Sequence, residues 1–294
     1  MRGFDHVVLP VADLAVARAR YQELGFTVAP NGIHPFGTYN CCIFLANGGF
    51  LEPLALHDAA LRDSVLREGE NEAFVRGHSD YVEQMGAEGF SHLVLQSGDA
   101  AADRVSFEMS TILAGRTQFA RVAENGVGAS QNVSFDLTFA ADERSPDAGF
   151  FTCHSLKPVE IDFSALGSHA NTVVGVSQIC TTSHNPHEHA AFVEAFVGTP
   201  SAHGDQHISA DLGGTTWLIL TPAGLAEHLG GDTGDLGDTG DGMRHQAIQF
   251  ITDDMDALAN ALAISGLPFR QSGDQIIVPP GPGQGYWAIF EPGG

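Results

Sequence analysis

The sequence predicts an α+β fold assembled from four copies of one unit, a strand followed by a helix and then by further strands. Two observations carry this. A glycine stands three residues before a polar strand residue at Gly3/His6, Gly89/His92, Gly175/Gln178 and Gly242/His245, and the first three starts are spaced evenly along the chain. The outer copies also match in detail, because His6 to Glu52 and His245 to Glu291 are both intervals of 46 residues.

The first copy spans about Met1 to Leu56. Phe4 to Pro10 is apolar and β-branched enough for a strand. Asp13 then caps a helix that places Leu14, Ala17, Tyr21 and Leu24 on one face. Gly25-Phe26 closes the helix, and Ile33 to Asn40, with Pro35 and Gly37, reads as a turn leading into a strand at Cys41 to Leu45. His34 and Asn40 are candidates for a substrate pocket, although polar residues in such a turn more often satisfy backbone groups. Phe50-Leu51-Glu52-Pro53 is the last strand, and a charge-mixed helical connector follows from His57 to Gly86.

The second copy runs from Gly89 to about Pro158. Val133, Phe135, Leu137 and Phe139 alternate through Asn132 to Ala140, as in a half-buried strand. No carboxylate occupies its last strand, where His154 is the candidate replacement. The third copy, about Val173 to Pro222, has Gln178 in place of histidine and Thr221 in place of glutamate. Its stretch His184-Asn185-Pro186-His187-Glu188-His189 is rich in metal-binding residue types but reads as a helix start. The HExxH pattern fails because Ala191 stands where its second histidine belongs. Gly230 to Gly242, alternating glycine, aspartate and threonine around Leu236, is an acidic low-complexity linker without EF-hand spacing. The fourth copy then repeats the first, with Asp253-Asp254 before a helix bearing Met255, Leu258 and Leu262 on one face.

The chain has 294 residues, 43% of them hydrophobic, enough for two double-unit domains, expected at residues 1–165 and 173–294. With 36 acidic against 13 basic residues the formal net charge is −23, which argues against nucleic acid and anionic membrane surfaces as partners. No long apolar segment or signal-like start is present, so a cytoplasmic location and a monomer or homodimer are the expectation. Cys41, Cys42, Cys153 and Cys180 lack CxxC spacing and read as reduced core residues.

A strand histidine plus a strand glutamate, repeated once at equal spacing, is a donor set suited to a divalent transition metal. Its open positions would polarise a carbonyl or enolate. Gly3-Phe4-Asp5-His6, Gly25-Phe26, His34 to Asn40 and Phe50-Leu51-Glu52 together resemble the vicinal oxygen chelate superfamily, in its glyoxalase-like branch. The likeness is clear in the first copy, good in the fourth and thin between them. It implies four βαβββ modules forming two cupped mixed sheets, with metal ligands from the first and last strands of each module.

Carried over, the ligand positions are His6, Glu52, His245 and Glu291, with Glu52 and Glu291 as candidate proton-moving catalytic groups. His92 and Gln178 stand at the remaining first strands and join His34, Asn40 and His154 as pocket candidates. Zn, Ni, Co, Mn or Fe would suit the site. If the end modules pair, the complete His/Glu/His/Glu set gathers at one metal; if neighbours pair, His6, Glu52 and His92 form one site and Gln178, His245 and Glu291 the other. The first arrangement is the favoured expectation. Three functions compete: a metal-dependent lyase or isomerase acting on a small oxygenated molecule through an enediolate-type intermediate, an extradiol-type dioxygenase, and a metal-free small-molecule binding protein of the resistance type. Metal content and oxygen consumption distinguish them.

Overall fold

The computed structural model describes residues 1–69, 72–231, 233, 236 and 240–293. Its strands form two mixed sheets, one of nine and one of eight strands. The first contains β1 (Phe4–Pro10), β2 (Gly32–Ile33), β3 (Thr38–Asn40), β4 (Ile43–Phe44), β5 (Phe50–Leu56), β6 (His92–Gln96), β7 (Leu113–Glu124), β8 (Ser130–Ala140) and β9 (Gly149–Ser155). They lie in the order β2-β3-β5-β1-β6-β9-β8-β7, with β4 paired to β5. The second contains β10 (Val173–Thr182), β11 (Ala202–His203), β12 (His207–Asp211), β13 (Thr216–Leu220), β14 (Arg244–Thr252), β15 (Arg270–Ser272), β16 (Gln275–Val278) and β17 (Trp287–Pro292), ordered β11-β12-β13-β10-β14-β17-β16-β15.

Each module contributes a helix after its first strand, namely α1 (Leu14–Glu23), α4 (Ala100–Met109), α5 (Ala190–Val197) and α7 (Met255–Ser265). Between the first two modules lie α2 (Ala59–Glu68) and α3 (Glu72–Met85), and α6 (Pro222–His228) follows β13. Aspartate starts three of the module helices in the same way: Asp13, Asp99 and Asp254 each sit in extended backbone and accept a backbone N–H of the first turn. Such a cap is worth about 1 kcal/mol. On α1 the buried face is Leu14, Ala17 and Tyr21, as the spacing predicts.

The two sheets share one core. Val7, Leu9, Leu93 and Leu95 point from the first sheet towards Val176, Ile179 and Phe250 of the second, together with Phe107, Phe192 and Phe196 of the helices. Phe150 of β9 packs directly on Trp217 of β13, ring centres 5.4 Å apart. The opposite faces have different fates. In the second sheet Cys180, Ala247, Ile277 and Ile289 are covered by Leu225 and Leu229 at and just beyond α6, with Leu236 packed alongside. Leu236 belongs to the Gly/Asp linker, of which residues 232, 234, 235 and 237–239 lie outside the described residues. In the first sheet α3 covers only part of the inner face, laying Phe74 and Val75 on Val8, Val94 and Phe151, and a cavity remains beside it.

Module pairing departs from the favoured expectation. β1 pairs antiparallel with β6, and β10 with β14, so neighbours share a sheet and the end-to-end arrangement is not formed. Between β1 and β6 the register is symmetric about Val7 and Leu93: His6 faces Val94, and Val8 faces His92. His6 and His92 are therefore equivalent positions about a local twofold, both on the inner face.

Candidate functional site

The cavity of the first sheet, about 580 Å³, is built around His6 and Glu52. Parallel pairing of β1 with β5 puts Glu52 opposite Val8, so its side chain shares the inner face with His6 two residues away. His6 Nε2 lies 3.5 Å from Glu52 Oε2. Behind the ring, His6 Nδ1 lies 2.5 Å from Asp5 Oδ1. Asp5 reaches that side because it is the extra residue of a β-bulge, Phe4 facing Leu95 while His6 faces Val94. The imidazole also stacks on Phe50 at 4.2 Å.

Glu52 is fixed from its other oxygen by Asn40 Nδ2, which donates to Oε1 at 2.6 Å. The same amide lies 3.3 Å from His34 Nε2, and His34 Nδ1 lies 2.9 Å from Thr38 Oγ1. These contacts fit one tautomer, with Nε2 accepting from Asn40 and Nδ1–H donating to Thr38. The sequence thus brings His6, Glu52, His34 and Asn40 to one place, and the turn residues face the cavity.

The electrostatics separate the two imidazoles. Burial works against a charge on His6, but the hydrogen bonds and charges of Asp5 and Glu52 outweigh it and push the imidazole up to about 9. Burial would raise Glu52, and His6, His34 and Asn40 reverse that, holding its carboxyl well below the usual range. At neutral pH this is an imidazolium–carboxylate pair. His34, although its Nε2 lies 3.6 Å from Glu52 Oε1, is held neutral at about 4 because burial outweighs the attraction of that carboxylate.

A pH dependence follows for His6. Because its folded value lies above the unfolded 6.5, the extra stability is complete below pH 6.5 and is lost as pH rises through about 9. Denaturant titrations at these two pH values are expected to differ by about 3 kcal/mol from this group. Unchanged stability, or an NMR titration placing His6 near 6.5, would contradict the pairing.

The other sequence candidates lie elsewhere. His245 is 46 residues before Glu291, but this spacing is not a common register. β1 and β5 are offset by 44 residues (Val8 opposite Glu52), whereas β14 and β17 are offset by 40 (Ala247 opposite Trp287). Glu291 is therefore opposite Ile251, six residues past His245 and about 20 Å along the strand. There it accepts a hydrogen bond from Gln249 at 2.6 Å. His245 is also turned away from the inner face. Gln246 is the extra residue of a bulge, since Thr181 faces His245 and Cys180 faces Ala247. His245 sits in the core between the sheets, stacked on Phe90 at 4.6 Å with Nδ1 2.9 Å from Thr181 Oγ1. The four expected ligands thus form one pair in the cavity and two separate residues in the other sheet.

Neighbour pairing does not complete the set either. His92 lies against Gly149 and Gly77, positions where a Cβ would crowd its ring, and its Nδ1 contacts Ser91 Oγ. The residue of β9 equivalent to Glu52 is the one opposite Val94, and that is Phe151. Its ring stands 5.7 Å from His6 and 5.6 Å from His92, edge-on to both. His154 points to the other face, its Nδ1 3.0 Å from the Ser97 carbonyl oxygen. Gln178 lies in the second sheet, its Oε1 near Cys180 Sγ. Among the described residues no three His, Cys, Asp or Glu side chains are placed to hold a metal ion. The residues present fit two donors of a superfamily metal site and do not fit the four-ligand set.

Sequence reasoning missed Asp5, Phe151 and Arg121 of β7, which lines the cavity with Phe119 and Phe135. The alternation through 132–140 signals the wall formed by Val133, Phe135 and Leu137, but nothing local marks the bulge at Asp5. Exposed Asn31, Val122 and Val159 lie at the mouth.

Comparisons with known proteins agree with this architecture. A family model described as a glyoxalase-like domain matches residues 4–197. No curated protein matches the chain. Among solved structures, a hypothetical protein from Staphylococcus aureus superposes with a TM-score of 0.67 at 13% identity, covering 99% of this chain and 100% of its own. A triple mutant of 4-hydroxymandelate synthase from Streptomyces coelicolor gives 0.60 at 14% identity, covering 99% and 92%. The Mn(II)-bound glyoxalase from Novosphingobium aromaticivorans gives 0.54 at 12% identity, covering 99% and 83%. At these identities the likeness is one of fold.

Proposed function

Given that the chain belongs to the glyoxalase-like domain family, we propose that it binds a small, largely apolar organic molecule in the cavity of its first sheet, against the charged His6–Glu52 pair, and that this binding needs no metal. The observation that carries the reading is the cavity itself: about 580 Å³, walled by seven phenylalanines and closed at its base by a few convergent polar groups. A fold of this kind hosts many activities, so the site rather than the architecture must decide. Glu52, held well below the usual carboxyl range, is a weak proton acceptor near pH 7. That favours gripping a ligand over abstracting a proton from it.

The test is occupancy. Ala123, buried on the cavity wall, can be enlarged to fill the space. A small-molecule screen by thermal shift and calorimetry is expected to yield aromatic ligands for the native protein that Ala123→Phe no longer binds. Ligands that bind both proteins equally would place binding outside the cavity and reject the reading.

One observation favours a second reading, a metal-dependent lyase or isomerase. Asp5 behind His6 Nδ1 is how proteins orient an imidazole whose other nitrogen meets a metal, and Glu52 lies on that other side. A metal there would supply Lewis-acid polarisation of a substrate oxygen. Metal analysis of protein purified without added metal or chelator separates the readings: one equivalent retained, and lost in Glu52→Gln, supports the second.

A further inference from the structure

We propose that the ligand of this cavity is a flat aromatic molecule carrying one carboxylate, and that Arg121 holds the carboxylate. The proposal rests on the reading that the cavity binds a small organic molecule, and adds the ligand's charge and orientation.

Arg121 stands out against its surroundings. The chain has only 13 Lys and Arg residues against 36 acidic ones, and Arg121 is the single one among the described residues that line the cavity. Most arginines of the first sheet and its helices are matched to a carboxylate. Arg2 pairs with Asp103 at 2.8 Å, and Arg116, on the same strand as Arg121, pairs with Asp136 at 2.8 Å. Among the described residues no carboxylate lies within ion-pair distance of Arg121. Its Nη1 donates to the Val122 carbonyl at 3.3 Å, and its Nε is buried without an acceptor. A buried donor left unmatched costs about 1–3 kcal/mol. A ligand anion in the cavity would supply the guanidinium with the negative partner that the described residues do not.

The guanidinium also faces inward. Its charge works to lower the pKa values of His34, Cys42 and Cys153, which sit on three separate segments around the cavity. Asp5 and Glu52 stand on either side of His6, while Arg121 Nη1 lies over Gly32 beside Asn40. A ligand carboxylate is repelled by Asp5 and Glu52 and attracted to Arg121, whose planar fork matches its two oxygens. The body of the ligand then lies between the phenyl rings that wall the cavity.

The experiment compares 2-naphthoate with 2-naphthamide, two probes of one shape that differ in charge, by calorimetry on the full chain. The native protein is expected to bind the acid about tenfold or more tighter than the amide. Arg121→Met should abolish that preference while keeping the amide affinity, and Arg121→Lys should recover part of it. Thermal unfolding of both variants confirms that they fold. Ala123→Phe should bind neither probe, which ties the signal to the cavity. If acid and amide bind the native protein equally and Ala123→Phe blocks both, the carboxylate proposal is overturned and the cavity reading stands. If neither probe binds the native protein, or Ala123→Phe binds both unchanged, the proposal and the cavity reading fail together.

Discussion

Lowering the pH from 7 to 5 is expected to unfold the protein. Four imidazoles are kept neutral by burial in the folded state: His34, His78 and His245 at about 4, and His92 at about 3. His92 is further disfavoured as a cation by His245, His78 and His6. The unfolded chain binds these protons with ordinary values near 6.5, so between pH 6.5 and 4 it holds more protons than the folded one. Stability therefore falls as pH falls through this window. At pH 5 each group costs about 2 kcal/mol, and the four together about 8 kcal/mol, comparable with the whole stability of a typical domain.

Nothing else compensates. His6 is protonated in both states below pH 6.5 and contributes no slope there. Most of the 36 acidic groups stay charged until below about pH 4.5, so relief of their repulsion comes later. Circular dichroism and tryptophan fluorescence against pH should show one steep transition near pH 5 with uptake of about four protons. Retention of native signals to pH 4 would mean that these imidazoles are not held neutral. His245→Phe, which keeps the stacking with Phe90, should move the midpoint to lower pH.

How much of this was legible in the sequence depends on whether a feature is local or a matter of register. The four repeats, the capping by Asp13 and Asp254, and the inward strand at 132–140 are local patterns, and the structure has all of them. His6, Glu52, His34 and Asn40 lie within one module, and the structure brings them together. The pairing of modules was not legible, because all four first strands are similarly apolar and nothing in them selects a neighbour. Nor was the side on which a histidine emerges. One extra residue in a strand reverses every side chain beyond it. The bulge at Asp5 adds a carboxylate to the site, and the bulge at Gln246 removes His245 from the inner face. The equal interval of 46 residues joined two positions of unequal register, which only the strand offsets reveal.

The same register predicts what Phe151→Glu should do. Position 151 is to His92 what Glu52 is to His6, so the substitution puts a second carboxylate on the inner face between the two imidazoles. Without metal the variant should be much less stable than the native protein. It loses a buried ring packed on Phe74, Phe139 and both histidines, a change that typically costs about 3–5 kcal/mol, and it places like charges close together. With Ni²⁺, Mn²⁺ or Zn²⁺ present those charges are neutralised, and metal binding becomes folding free energy. The expected result is a metal-dependent rise in unfolding temperature and one equivalent of bound metal in Phe151→Glu, with a far smaller response in the native chain. Phe151→Ala controls for the lost ring: it should be destabilised similarly but not rescued. Equal metal response in all three proteins would show that His6 and Glu52 suffice as donors and that Phe151 does not control the site; no response in a folded Phe151→Glu would show that His92, held between Gly149 and Gly77, cannot turn towards the shared centre.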